Sequence, residues 1–323
     1  MSIIYIAEIG NNHNGSIQLA KDMIDAAIIS GADYVKFQIY SIDKFIDKDN
    51  PFYDEFFRES LSFEMFRELK FYTESKGGKF LATPFDEESL LFLHRLGLNI
   101  IKIASGDMNN RQLLLQAVGL NKKLIISVGG AEIEEIDRTV ELLNTHNAVY
   151  TLLHCTINYP AQFEELNLNF LTVLKNRYQR PIGYSDHSLG IEASLAAISL
   201  GAVIIEKHFT IDRGLPGGDN VMSVLPEEFN DLRIMGNHIF SALGSSDRLL
   251  SYNEQIIKKI IRRKFVTKRA ISKGEILTSA DIILLRVKSI EGGFGADSID
   301  ALIGKKVIKD LLKNTMITID VLV

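Results

Sequence analysis

Short apolar, β-branched runs alternate along the chain with longer stretches whose apolar positions recur at helical spacing. Ile3 to Ile9 is a compact apolar run and predicts a buried strand. Ser16 to Ser30 follows, with Leu19, Met23, Ala26 and Ala27 on one helical face and Gly31 as a stop. The pair recurs. Tyr34 to Tyr40 predicts a strand, and Ser62 to Ser75 a helix closed by Gly77-Gly78. Lys79 to Phe85 predicts a strand, and Glu87 to Leu96 a helix closed by Gly97. Strands are also predicted over Ile100 to Ser105, Leu124 to Val128, Val149 to Cys155, Pro181 to Ser185 and Val203 to Phe209. Helical stretches separate them, with stops at Gly119 and Gly201, and a last amphipathic helix runs from Pro226 to Leu243. About eight βα units in about 244 residues imply a parallel sheet and fit a closed (β/α)8 TIM barrel. An open, doubly wound sheet is the alternative.

After Gly244 the pattern changes. Residues 245–262 are polar and then basic-amphipathic, and read as a linker. Residues 263–323 show short strands and turns: Phe265 to Thr267, Lys273-Gly274-Glu275, Ile282 to Val287, Gly292-Gly293 and Lys305 to Ile308. About 60 residues is small for an independent core, so this β-rich domain should lean on the barrel or on another subunit.

Composition narrows the function. The 323 residues are 46% hydrophobic and 24% charged, which fits a globular enzyme and not a disordered chain. No apolar run approaches the roughly 18 residues of a membrane span. A net charge of -5 argues against binding to nucleic acid through its phosphates. The first residues lack the basic start of a secretory signal. A single cysteine, Cys155, excludes an internal disulfide and suits the cytoplasm.

In a barrel, chemistry gathers where strands end. Glu8 ends the first predicted strand, before Asn11-Asn12-His13-Asn14-Gly15. Lys36 and Gln38 share one face of the second. Thr83 ends the third; Lys102, Ser105 and Asp107 mark the fourth and Ser127 the fifth. His154, Thr156, Asn158 and Tyr159 mark the sixth, Ser185, Asp186 and His187 the seventh, Glu206 and His208 the eighth. Lysines inside apolar strands are costly unless they meet anions, so Lys36 and Lys102 with neighbouring hydroxyls suggest a phosphate or carboxylate site. The plainer reading is a structural salt bridge between Glu8 and Lys36. His187 and His208 sit one βα repeat apart at adjacent strand ends. They suit either a labile divalent ion or two separate hydrogen-bonding roles. His154 and Cys155 read as core residues, and His13 as part of a turn or hydrogen-bond network. Asp212, Arg213 and Pro216 to Asp219 form an ordinary turn or an acidic lip that binds hydroxyl groups of a polar substrate.

These motifs resemble the N-acetylneuraminate (sialic acid) synthase family. The likeness runs in order through Ala7-Glu8-Ile9-Gly10-Asn11-Asn12-His13-Asn14-Gly15, Val35-Lys36-Phe37-Gln38, Ala82-Thr83-Pro84-Phe85 and Lys102-Ile103-Ala104-Ser105-Gly106-Asp107. It continues through His154-Cys155-Thr156, Tyr159-Pro160, Gly183-Tyr184-Ser185-Asp186-His187 and Glu206-Lys207-His208-Phe209-Thr210. Ile271-Ser272-Lys273-Gly274-Glu275 and Ile303-Gly304-Lys305-Lys306 resemble the antifreeze-like (SAF) domain that ends these enzymes.

The resemblance implies a metal-dependent condensation of phosphoenolpyruvate with an N-acylated hexose, N-acetylmannosamine by default and a diacetamido hexose as the alternative. It implies that His187 and His208 bind Mn²⁺ or Mg²⁺. Lys36, Thr83, Lys102, Ser105, Ser127 and Ser185 would hold phosphoenolpyruvate. Gln38, Tyr159 and Asp219 would hold the sugar, joined by Arg286 from the partner subunit of a domain-swapped homodimer. Glu8 would be the acid–base group, with Asp107 second. The sequence departs from the family at Ile157, Val128, Gly218-Asp219-Asn220 and the aromatic segment Asp43 to Leu61, which leaves the sugar open. Two other readings are a Schiff-base aldolase using Lys36 or Lys102, which the strand-end histidines disfavour, and a non-catalytic sugar-binding homologue.

Overall fold

The computed structural model describes residues 2–288 and 292–323. Eight strands alternate with helices up to Gly244. The strands are β1 (Ile4–Gly10), β2 (Tyr34–Ile39), β3 (Phe80–Pro84), β4 (Ile100–Ile103), β5 (Lys123–Ser127), β6 (Tyr150–His154), β7 (Ile182–Asp186) and β8 (Ala202–His208). The helices are α1 (Ile17–Ile29), α2 (Ile42–Phe45), α3 (Tyr53–Glu59), α4 (Phe63–Ser75), α5 (Glu87–Arg95), α6 (Arg111–Gly119), α7 (Ile133–Thr145), α8 (Phe170–Tyr178), α9 (Glu192–Ser199) and α10 (Pro226–Leu243). Parallel ladders run in the order β3-β2-β1-β8-β7-β6-β5-β4, and β3 lies against β4. The result is a (β/α)8 barrel, nearly closed.

Local chemistry explains the elements. Ser16 Oγ accepts from Leu19 N–H at the start of α1, and Asp86 Oδ1 from Ser89 N–H at the start of α5. Each satisfies a backbone donor that the first helical turn cannot. Gly97 ends α5 at φ +87°, a conformation open to glycine without a steric cost. Gly119, expected as a stop, is instead the last residue of α6, and Asn121 takes the left-handed turn at φ +55°. The main core lies between barrel and helices, where Phe37, Phe66, Leu69, Leu93, Ile136, Leu174, Ile198 and Phe229 are all buried.

The chain divides after Gly244. The second unit runs from Ser245 to Val323 and has its own apolar cluster, including Phe265, Leu277, Leu302, Val307 and Ile317. Its antiparallel pair is β9 (Lys264–Thr267) with β10 (Ile282–Leu285), and isolated bridges tie in Ile271, Ile276 and Val307. The segment read as a linker contains a helix, α11 (Tyr252–Ile261). Ser251 caps it by accepting from Glu254 N–H, and the Glu254 carboxylate accepts from Ser251 N–H in return. No described helix is long and apolar enough to cross a membrane.

Gly183 on β7 has no room for a side chain. A Cβ there would meet Leu153 and come within 2.7 Å of Ile204 O. Gly183→Ala is therefore expected to cost about 1–3 kcal/mol, read as a lower urea midpoint.

Candidate active site

Side chains alternate along a strand, so residues two apart face the same side. Ile6, Leu81, Ile125, Leu153 and Ile204 form a separate buried cluster inside the barrel. Two residues further along the same strands stand Glu8, Thr83, Ser127, Cys155 and Glu206. The barrel thus carries a polar layer directly on an apolar floor.

That layer is charged. Lys36 Nζ lies 2.9 Å from Glu8 Oε1 and 3.4 Å from Glu206 Oε2, and Lys102 Nζ lies 3.5 Å from Glu206 Oε1. All four side chains are buried. Lys36 Nζ also donates to Thr83 Oγ1 (3.2 Å), and Lys102 Nζ to Ser127 Oγ (2.7 Å) and Ile103 O (3.1 Å). Ser185 Oγ donates to Glu206 Oε1 (2.8 Å), and Gln38 Nε2 to Glu8 Oε1 (3.2 Å). Burial opposes charge on every member. At Lys36 the carboxylates of Glu206 and Glu8 outweigh burial and raise the pKa. At Lys102 burial wins and the pKa falls. At Glu206 burial is outweighed by Lys102 and Lys36, which hold it below the usual carboxylate range. One oxygen of each acid, Glu8 Oε2 and Glu206 Oε2, lacks a hydrogen-bond donor.

Above this layer His187 and His208 come together, ring centroids 5.5 Å apart. Tyr159 lies against His187 at 4.3 Å. His187 Nδ1 is 2.6 Å from Thr156 O. A carbonyl only accepts, so Nδ1 carries the proton and Nε2 keeps its lone pair. Burial, then the neighbouring His208, push the His187 pKa down to about 3. His208 Nδ1 is buried without a partner, 3.7 Å from Asp219 Oδ2. Among the described residues no three His, Cys, Asp or Glu side chains form a complete cage. Two imidazoles, one oriented by a backbone carbonyl and one with an orphaned nitrogen, fit a labile divalent ion that keeps positions for water and substrate.

Other expected residues are placed differently. Ser105 Oγ accepts from Gly129 N–H and lies 3.0 Å from Cys155 Sγ, so the cysteine read as core also touches the site's edge. Asp107 sits in a turn where Asn110 Nδ2 donates to its Oδ1, and burial raises its pKa. Among the described residues no ion pair or hydrogen bond joins it to the lysine layer. Arg286 is exposed and belongs to the second unit, after β10. His154 is a core histidine, 2.7 Å from Leu166 O. The salt bridge between Glu8 and Lys36, the plainer reading of those two residues, is present. Glu206 is the residue that sequence reasoning passed over as a site member. Its signal was the two-residue spacing to His208, but its role needs the strand register that sets it beside Ser185.

Residues 23–248 match the NeuB family and residues 262–323 the SAF domain. The chain belongs to the NeuB family. It is 38% identical to the N,N'-diacetyllegionaminic acid synthase of Campylobacter jejuni, over 97% of this chain and 98% of that one. It is 36% identical to the enzyme of the same name from Legionella pneumophila, over 98% of this chain and 93% of the relative. The crystal structure of an N-acetylneuraminic acid (sialic acid) synthetase from Leptospira borgpetersenii, in complex with citrate, superposes with a TM-score of 0.77 at 36% identity, covering 80% of this chain and 90% of that one. As a NeuB-family synthase the chain is a phosphoenolpyruvate-dependent condensing enzyme.

Two outcomes follow from the geometry. Glu206→Gln leaves Lys36 with Glu8 alone and Lys102 with no carboxylate partner, and should cost about 3–5 kcal/mol in urea denaturation. His13 is fully buried, its Nδ1 accepting from Gly15 N–H, and burial lowers its pKa to about 4. It stays neutral in the fold while the unfolded chain binds a proton, so its contribution to stability falls as pH drops from about 6.5 to about 4. NMR titration should show no protonation of His13 in the folded protein at pH 5.5.

Proposed function

We propose that this NeuB-family enzyme condenses phosphoenolpyruvate with a diacetamido hexose to give a legionaminic-acid-type nonulosonic acid and phosphate. The reading of the reaction rests on one observation: two buried lysines, on β2 and β4, lie among carboxylates and hydroxyls beneath a pair of imidazoles. The sugar is favoured by two relatives named legionaminic acid synthases, similar over nearly the whole chain. N-acetylmannosamine is the second reading, favoured by the likeness to the sialic acid synthetase.

Lys36 and Lys102, with the hydroxyls of Thr83, Ser105, Ser127 and Ser185, hold the phosphate and carboxylate of phosphoenolpyruvate. Charge-assisted hydrogen bonds suit both groups. Gln38, Tyr159 and Asp219 hold the sugar near the histidines. His187 and His208 hold Mn²⁺ or Mg²⁺, which when bound supplies Lewis-acid polarisation of the sugar aldehyde. C3 of phosphoenolpyruvate forms the new bond to the aldehyde carbon. Water then adds at C2, and phosphate leaves with cleavage of its bond to C2. Glu8 exchanges protons through the oxygen that lacks a donor, while Lys36 and Gln38 hold the other. Asp107 is the second candidate for that task. Arg286, as a sugar ligand from a partner subunit, and the homodimer it implies belong to the same proposal, as does a cytoplasmic location.

Phosphate release from phosphoenolpyruvate should appear with the diacetamido hexose, more slowly with N-acetylmannosamine, and vanish with a chelator. No release with any N-acylated hexose, or full activity with chelator present, would overturn the reading. His208→Ala should lower kcat by at least about 10²-fold while the protein stays folded by circular dichroism.

A further inference from the structure

The register of β7 and β8 pairs Ser185 with Glu206 and Asp186 with Lys207. The first pair meets inside the barrel. Strand alternation turns the second pair the opposite way, beneath the helix layer. His187 and His208 are the next residues on each strand. Lys207 Nζ is 3.0 Å from Asp186 Oδ2, and the two side chains are 1% and 0% exposed.

Each partner is held by more than the other. Asp186 Oδ1 accepts from Ser188 N–H (2.9 Å) and Ser188 Oγ (2.7 Å), and Asp186 Oδ2 accepts from Ser194 Oγ on α9 (2.6 Å). Lys207 Nζ also donates to Ser188 O. Asp186 and Ser188 flank His187 on both sides, Lys207 adjoins His208, and the His187 carbonyl accepts from Ala161 N–H (2.9 Å). The network therefore clamps the backbone at both histidines from the side away from the substrate.

A buried ion pair is a weak way to stabilise a fold, because apolar residues of similar volume often do as well. It does impose geometry, since each displaced bond leaves a buried charge unpaired. We infer that the Asp186–Lys207 pair is a positioning device that sets the separation and orientation of His187 and His208 for a divalent cation. The inference rests on the reading that these histidines hold such an ion.

The test is Mn²⁺ binding to the full chain without substrates, followed by electron paramagnetic resonance, with thermal melting in parallel. Asp186→Asn combined with Lys207→Met removes both charges and avoids an unpaired one. It should fold yet bind Mn²⁺ about 10-fold more weakly or worse, the usual loss when groups that orient a metal ligand are changed. Lys207→Arg keeps the charge but not the fit, and guards against a double variant that does not fold; it should weaken Mn²⁺ binding by a smaller factor. A folded variant of either kind with unchanged Mn²⁺ affinity would overturn the inference, whatever its melting temperature. Wild-type protein that binds no Mn²⁺ would instead overturn the metal reading, and this inference with it.

Discussion

The mouth of this barrel depends on two lysine amines held beside two carboxylates in a place nearly stripped of water. Taking one such group out of water costs several kcal/mol, and a nearby carboxylate recovers that only at close range. Glu8 and Glu206 do so for Lys36, whose pKa rises, whereas at Lys102, paired with Glu206 alone, burial outweighs the carboxylate. The strand order makes the arrangement possible. β1 lies between β2 and β8, so Glu8 reaches Lys36 from the neighbouring strand while Glu206 reaches it from one strand further and also spans to Lys102. Thr83 and Ser127 accept from the two lysines, and Ser185 donates to Glu206 Oε1. The charges of these four side chains balance locally, in a protein whose net charge is -5.

Much of this was legible in the chain, because barrel periodicities are local. Alternation with period two and helical spacing are written in neighbouring residues, so the eight strands and the inward face of Lys36 and Gln38 follow directly. The role of Glu206 was not legible in the same way. Its environment comes from register between strands, which no single segment encodes. The helix α11 was hidden inside a polar stretch whose apolar positions, such as Ile256, Ile257 and Ile260, are exposed in the fold, so hydrophobic patterning did not separate it from a linker. The turn after α6 falls to Asn121, whose side chain tolerates the left-handed region well enough to replace glycine. Asp107 and Arg286 entered through resemblance of short motifs, and short motifs fix neither a side chain's partners nor the placement of one unit beside another.

The departure at Ile157 has a physical counterpart. Its side chain is about half exposed and packs over Gly129 and Gly130 in the loop after β5. A Cβ on Gly129 would come within 2.7 Å of Ile157 Cγ2 and would also meet Cys155 Sγ. The bulky residue on one loop and the bare backbone on the next are therefore mutually fitted. The same bare backbone lets Gly129 N–H reach Ser105 Oγ at 3.0 Å. Ile157 thus holds the neighbouring loop by packing.

The apolar floor beneath the charged layer also governs traffic. Ile6, Leu81, Ile125, Leu153 and Ile204 plug the lower end of the barrel, so one opening serves for entry and exit. On β8 the lysine-binding Glu206 lies one inward step deeper than His208. Under the proposed roles, with phosphoenolpyruvate against the lysines and the sugar at the histidines, the deeper molecule would have to arrive first, and its departure would wait for the one above it.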